Sequence, residues 1–112
     1  MTAAPARLGE LEALMVLAVL HLGAAAHAVA IRAHIGERTG RELARGTVYV
    51  TLDRLEHKAL LSSHLSDPTP ERGGKAKRIY RVEKGGLVAL NDALASTQSM
   101  LAGLPRHVKV PR

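Results

Sequence analysis

Residues 45–63, RGTVYVTLDRLEHKALLSS, pass directly from a helical pattern into a β-favouring one. Val48, Leu52, Leu55 and Ala59 recur at i, i+4, i+7 and i+11, which places them on one buried stripe of a helix. At about 100° per residue the opposite face holds Gly46, Thr47, Val50, Asp53, Arg54 and His57, with Tyr49 on the flank. That face mixes hydroxyl, methyl, guanidinium and imidazole groups. It is not the continuous apolar patch of a packing surface, and what it meets depends on the elements around it.

Upstream, Leu8, Leu11, Leu14, Met15, Ala18 and Leu22 recur at helical spacing, in a segment apolar almost all round. Such a helix has to be covered on several sides, by its own domain or by another subunit. GAAA at 23–26 reads as a break. HAVAIRAHIGERTG then puts Val29, Ile31, Ala33 and Ile35 in a second helix that stops near Gly40, and RELA makes a turn. Downstream, LLSSHL at 60–65 and RIYRVE at 78–83 are strand-like, and DPTPERGG between them is a hairpin tip too long for a two-residue turn.

The last element, GLVALNDALASTQSMLAGL, carries Leu87, Leu90, Leu94, Thr97, Leu101 and Leu104 at spacings of 3, 4, 3, 4 and 3. That is an a/d seam of about two and a half heptads. Residues 1–6 and 105–112 read as flexible tails. There is no internal repeat or low-complexity tract.

Composition narrows the partners. A chain of 112 residues suits one small core with little room for a deep cavity. The absence of Cys rules out disulfides, thiolate metal sites and thiol nucleophiles. Glu10 and Glu12 precede the first apolar run, and no run approaches the roughly 18 residues of a membrane span, so a cytoplasmic protein without a membrane partner is expected. Sixteen Lys and Arg against ten Asp and Glu give a net charge of +6, and residues 71–84, ERGGKAKRIYRVEK, hold +4 of it. A local excess of that kind suits a polyanion.

The order helix, helix, helix, strand, basic loop, strand, helix is that of a winged helix-turn-helix: mainly α with a small β-hairpin wing (α+β). Residues 7–84 form the DNA-binding domain, and a C-terminal dimerisation helix follows at 85–104. In this layout the third helix enters the major groove of double-stranded DNA and the wing lies on the backbone. Gly46, Thr47, Tyr49, Val50, Arg54 and His57 are the candidate groove residues, and Lys75, Lys77 and Arg78 the candidate backbone contacts. Leu11, Met15 and Leu22 of the first helix and Leu87, Leu90, Leu94 and Leu101 of the last are the candidate homodimer interface.

ARGTVYVTLDRLEHKALL resembles the signature of the PadR-type bacterial transcriptional regulators, in which Ser-x-Gly-Thr-Leu-Tyr precedes Leu-x-Arg-Leu-Glu-x-x-Gly-Leu. Ala44, Gly46, Thr47, Val48, Tyr49, Leu52, Arg54, Leu55, Glu56, Ala59 and Leu60 occupy the corresponding places. ERGGKAKRIYRVEKGGLVAL is similar to the family's wing, including Tyr80, and the resemblance spans roughly residues 8–103. It implies a sequence-specific regulator of transcription, a repressor acting as a homodimer on a pseudo-palindromic operator, and not an enzyme.

Three departures affect stability rather than DNA chemistry. Ala44 stands where a Ser caps the recognition helix, so Thr47 or water has to satisfy the free N–H groups. Ala59 replaces a helix-ending Gly, at a cost on the order of 1 kcal/mol if the site needs positive φ. Glu83 replaces a capping Ser or Thr, where a carboxylate near a helix N-terminus is still favourable.

The resemblance also implies a small phenolic or drug-like effector at the dimer interface. With no Trp, no Phe and only Tyr49 and Tyr80, the sequence offers no aromatic platform for one. No cofactor is expected. His21, His27, His34, His57, His64 and His107 raise a metal reading, but His27 and His34, at i and i+7, lie about 10 Å apart along a helix, too far to share an ion. Ser62, Ser63, His64 and Asp67 are close in sequence but sit on a strand and wing with no pocket, so a catalytic triad is rejected. The alternative to DNA is a winged-helix interaction module whose basic wing docks on an acidic protein. The Thr47, Val50 and Arg54 face argues against it, because those groups suit base edges.

Overall fold

The computed structural model describes residues 7–67 and 76–110. Its elements are α1 (Glu10–Leu22), a 3-10 turn (Gly23–Ala25), α2 (Ala28–Thr39), α3 (Arg45–His57), β1 (Leu61–Leu65), β2 (Arg78–Val82) and α4 (Lys84–Leu101). This is the mainly α chain with a two-stranded wing that the sequence predicts. Residues 1–6, residues 68–74 of the expected hairpin tip, the candidate contact Lys75, and residues 111–112 lie outside the described residues.

Local signals set the helix ends. Glu12 folds back so that its Oε1 accepts the Gly9 N–H at 2.9 Å, half of a capping box because Gly9 has no side chain of its own. His27 Nδ1 accepts the Ala30 N–H at 3.3 Å and caps α2. Gly40 closes α2 at φ 75°, its N–H donating to the Gly36 carbonyl at 2.9 Å. Helix α4 starts and ends earlier than its leucine seam suggests, so Leu104 lies beyond it.

The two strands pair antiparallel with Leu61 opposite Val82, Ser63 opposite Tyr80 and Leu65 opposite Arg78. The Tyr80 N–H donates to the Ala26 carbonyl at 2.8 Å, which ties the wing to the loop before α2. Gly86 lets α4 reach the base of the hairpin: a Cβ there would overlap the Leu60 carbonyl oxygen and lie 2.8 Å from Val82 Cγ1.

The core draws on every helix. Met15, Val16, Ile31, Val48, Leu52 and Leu55 are the largest fully buried side chains, and Leu60, Leu61, Tyr80, Ala89 and Leu90 close over them. The first helix is therefore covered mostly by its own chain: Leu11, Leu14, Leu17 and Leu22 pack partly buried against the core, and Leu20 is exposed. In α2 only Ile31 and Ile35 of the four apolar positions are buried, while Val29 and Ala33 face outward.

Candidate nucleic-acid interface

Val48, Leu52 and Leu55 anchor α3 on its inner side, and Thr51, also buried, donates its hydroxyl to the Thr47 carbonyl at 2.7 Å. With that face held, Gly46, Thr47, Tyr49, Val50, Asp53, Arg54 and His57 are all exposed, Val50 to 57% and Tyr49 to 50%.

Arg54 makes no ion pair or hydrogen bond with a side chain among the described residues; the ion pairs formed there are Arg41–Glu10, Lys58–Glu12 and Arg81–Glu83. Its guanidinium is available to an outside acceptor. The N-terminus of α3 is equally open, because Ala44 supplies no side-chain cap and the first turn contains no acid. Of the two caps expected, Thr47 or water, the Thr47 hydroxyl supplies none among the described residues; the Thr47 carbonyl accepts from Thr51.

The C-terminal end of α3 is closed by a Schellman motif. The Leu60 N–H donates to the Leu55 carbonyl at 3.0 Å, and the Ala59 N–H to that of Glu56 at 2.8 Å. Ala59 sits at φ 62°, the left-handed region that favours glycine. The Glu83 carboxylate does not cap α4. It turns to the wing, where its Oε2 accepts from Ser62 Oγ at 2.7 Å and Arg81 Nε at 3.3 Å. The Ser62 hydroxyl, opposed by some loss of hydration and aided by Arg81, holds the Glu83 carboxyl below its ordinary pKa.

Of the wing cations, Lys77 and Arg78 are exposed. Their backbone and side chains are braced by serines: the Lys77 N–H donates to Ser66 Oγ at 2.9 Å, and Arg78 Nη1 to Ser63 Oγ at 2.9 Å. Burial, with the charge of Lys77, lowers the pKa of His27, so its Nδ1 stays an acceptor for the cap of α2. Sequence reasoning missed two further cations, Arg32 and Arg45, which line a shallow cleft between α2 and α3 together with Ala28, Val29, Val48 and Tyr49. The available signal was that Arg45 and Tyr49 stand at i and i+4 on α3.

The histidines do not converge. The His21 and His34 rings lie 4.9 Å apart at 35°, His27 is a cap, and no group of three or more metal-ligating side chains occurs among the described residues. Ser62 is occupied by Glu83, and His64 and Asp67 are exposed on the wing.

The candidate dimer residues divide. Met15, 0% exposed, and Leu90, 6%, are used up inside the chain's own core and have no surface to give a second copy. The all-round apolar character of the first helix assigned Met15 to an interface and the leucine seam assigned Leu90, because neither pattern can tell an intrachain neighbour from an interchain one. Leu11 and Leu22 are half-buried, whereas Leu87, Leu94 and Leu101 are exposed, as are Met100 and Leu104 beside them.

Comparison with known proteins agrees with this geometry. The chain matches the family described as Transcriptional regulator PadR-like family over residues 16–92. No curated protein matches it. Among solved structures it is similar to a PadR-like transcription factor from Bacteroides fragilis, at 25% identity and a TM-score of 0.66, covering 81% of this chain and 82% of that one. It is also similar to a PadR family transcription regulator from Clostridium difficile R20291, at 26% identity and a TM-score of 0.64, covering 79% and 90%. A PadR family regulator from Eggerthella lenta, at 24% identity and a TM-score of 0.65 over 91% and 88%, shares the fold. The family match takes in α2, α3, the wing and the first half of α4, the elements that build the exposed face, and the chain belongs to the PadR-like family of DNA-binding transcriptional regulators, which are not enzymes.

Proposed function

We propose that the protein is a cytoplasmic repressor that binds a pseudo-palindromic operator as a homodimer, with residues 7–84 reading DNA and 85–104 pairing the two copies. The observation that carries this reading is the face of α3 on which Thr47, Val50 and Arg54 are exposed together, with Arg54 unpaired among the described residues. A guanidinium can take O6 and N7 of guanine together, and threonine and valine methyls can meet the thymine methyl. Gly46 and His57 extend that face, and Tyr49 borders it. Lys77 and Arg78, braced on the wing, would hold backbone phosphates and fix the register.

Homodimerisation draws its support from the leucines of α4, Leu87, Leu94 and Leu101, an apolar row of which the described residues leave about half exposed. Two-fold pairing would set the two α3 helices against half-sites about 34 Å apart. An effector finds no support, since the Tyr80 ring is in the core and Tyr49 lies on the DNA side.

The deciding experiment is selection of bound duplexes from random DNA, followed by a gel shift and in vitro transcription on the protein's own promoter. An inverted-repeat consensus, with transcription reduced when it is occupied, is the expected result. Failure to bind any duplex tightly at low salt would sink the proposal and favour docking on an acidic protein. Increased transcription would make the protein an activator.

A further inference from the structure

The cleft between α2 and α3, about 130 Å³ in volume, has two guanidiniums and an apolar floor, and none of its lining residues is acidic. Arg32 donates through Nε to the Leu43 carbonyl, which fixes its guanidinium beside the α2–α3 turn and leaves its terminal nitrogens with no protein acceptor among the described residues. Arg45 has neither a hydrogen bond from its side chain nor an ion pair there. Val29, 64% exposed, and Tyr49, 50% exposed, present open hydrocarbon in the same cleft. Two like charges lining one cleft that has no acidic lining residue oppose each other, an arrangement that an external anion would relieve.

We propose that this cleft seats one phosphodiester of the DNA backbone beside the groove that α3 enters. Arg32 and Arg45 hold the phosphate, and Val29 and Tyr49 lie against the adjoining deoxyribose. Guanidinium suits this role because its planar fork matches two phosphate oxygens, and the carbon face of a sugar packs on an apolar floor as a free inorganic anion does not. The phosphate is a sequence-independent anchor additional to the wing, so it sets where α3 sits without choosing a base. The inference rests on the DNA-binding reading of the α3 face.

The test uses the full chain, with anisotropy titrations over a salt series against the selected operator and a scrambled duplex. Arg45 is exposed and has no side-chain partner among the described residues, so Arg45→Ala should keep the parent's melting temperature. It should bind both duplexes weaker by the same factor, about five- to tenfold near physiological salt, with the salt slope reduced by about one unit. Arg32→Gln, whose amide can still donate to Leu43, should do likewise. A scan of operators with one methylphosphonate each should find a position that weakens the parent and leaves Arg45→Ala unchanged.

An unaltered salt slope in Arg45→Ala overturns the proposal. So does a loss confined to one base pair, which would mean base readout, or a methylphosphonate scan identical in parent and variant. A parent that binds no duplex at all defeats the DNA reading itself, a result distinct from any of these.

Discussion

Lys58, which follows the last residue of α3, donates through Nζ to Oε2 of Glu12 at 2.9 Å, while Oε1 of that carboxylate accepts the Gly9 N–H. One buried carboxylate thereby ties the end of α3 to the start of α1, across 46 residues of chain. Burial alone would raise the Glu12 pKa, but the Gly9 N–H, the Lys58 ammonium and the charge of Arg54 outweigh it and hold the group below its ordinary 4.5.

A carboxyl with a depressed folded-state pKa contributes stability that is full above 4.5 and is lost as pH falls through the lower folded value. Glu12→Gln should therefore cost about 1 kcal/mol at neutral pH, a figure discounted because Lys58 is partly exposed. The variant should also lose less stability than the parent on acidification. Urea unfolding at neutral and acidic pH measures both, and parallel pH profiles for the two proteins would show that the carboxylate is not linked to folding.

Ala59 occupies a left-handed position that closes a Schellman motif. Glycine has no Cβ to clash there, so Ala59→Gly should stabilise the protein by about 1 kcal/mol, after the larger chain entropy it adds to the unfolded state is offset. The melting temperature should rise by roughly 4 °C or more. A fall on substitution would mean that the surrounding hydrogen bonds already relieve the backbone at this residue.

Arg54 and the wing cations should fail in different ways. Arg54→Ala should cost roughly 1–3 kcal/mol on the operator and relax the preference at one base pair. Lys77→Ala should weaken every duplex about equally and lower the salt slope by about one unit. Selection on random duplexes with each variant separates the two. An Arg54→Ala protein that recovers the parent's preferences at every position would reduce this residue to an electrostatic role.

The exposed half of α4 should govern assembly. Leu94→Glu with Leu101→Glu places charge on two exposed leucines without touching the buried Leu90, so the fold should survive while the dimer dissociates. Sedimentation at micromolar concentration should then show a monomer with unchanged helicity. A parent that already sediments as a monomer would rule out pairing through this helix.

By itself the sequence determined the order of elements, the outward face Thr47, Val50 and Arg54, and three of the four residues of the inward stripe, Val48, Leu52 and Leu55, because each depends on a local period that every residue reports independently. Ala59, the fourth, lies exposed just beyond the helix, where the period no longer holds. Tertiary structure decided what those periods cannot carry. Whether an apolar residue meets its own chain or another depends on contacts between distant segments, so Met15 and Leu90 went to the core while Leu94 stayed exposed. The pairing of Glu12 with Lys58, the turning of Glu83 from a helix cap to Ser62, and the approach of Arg32 to Arg45 each join side chains whose separation along the chain leaves no spacing to read. The positive φ at Ala59 lies between: the helix-ending position was legible, but the strain followed only once Leu60 was drawn into the core and its N–H back onto Leu55.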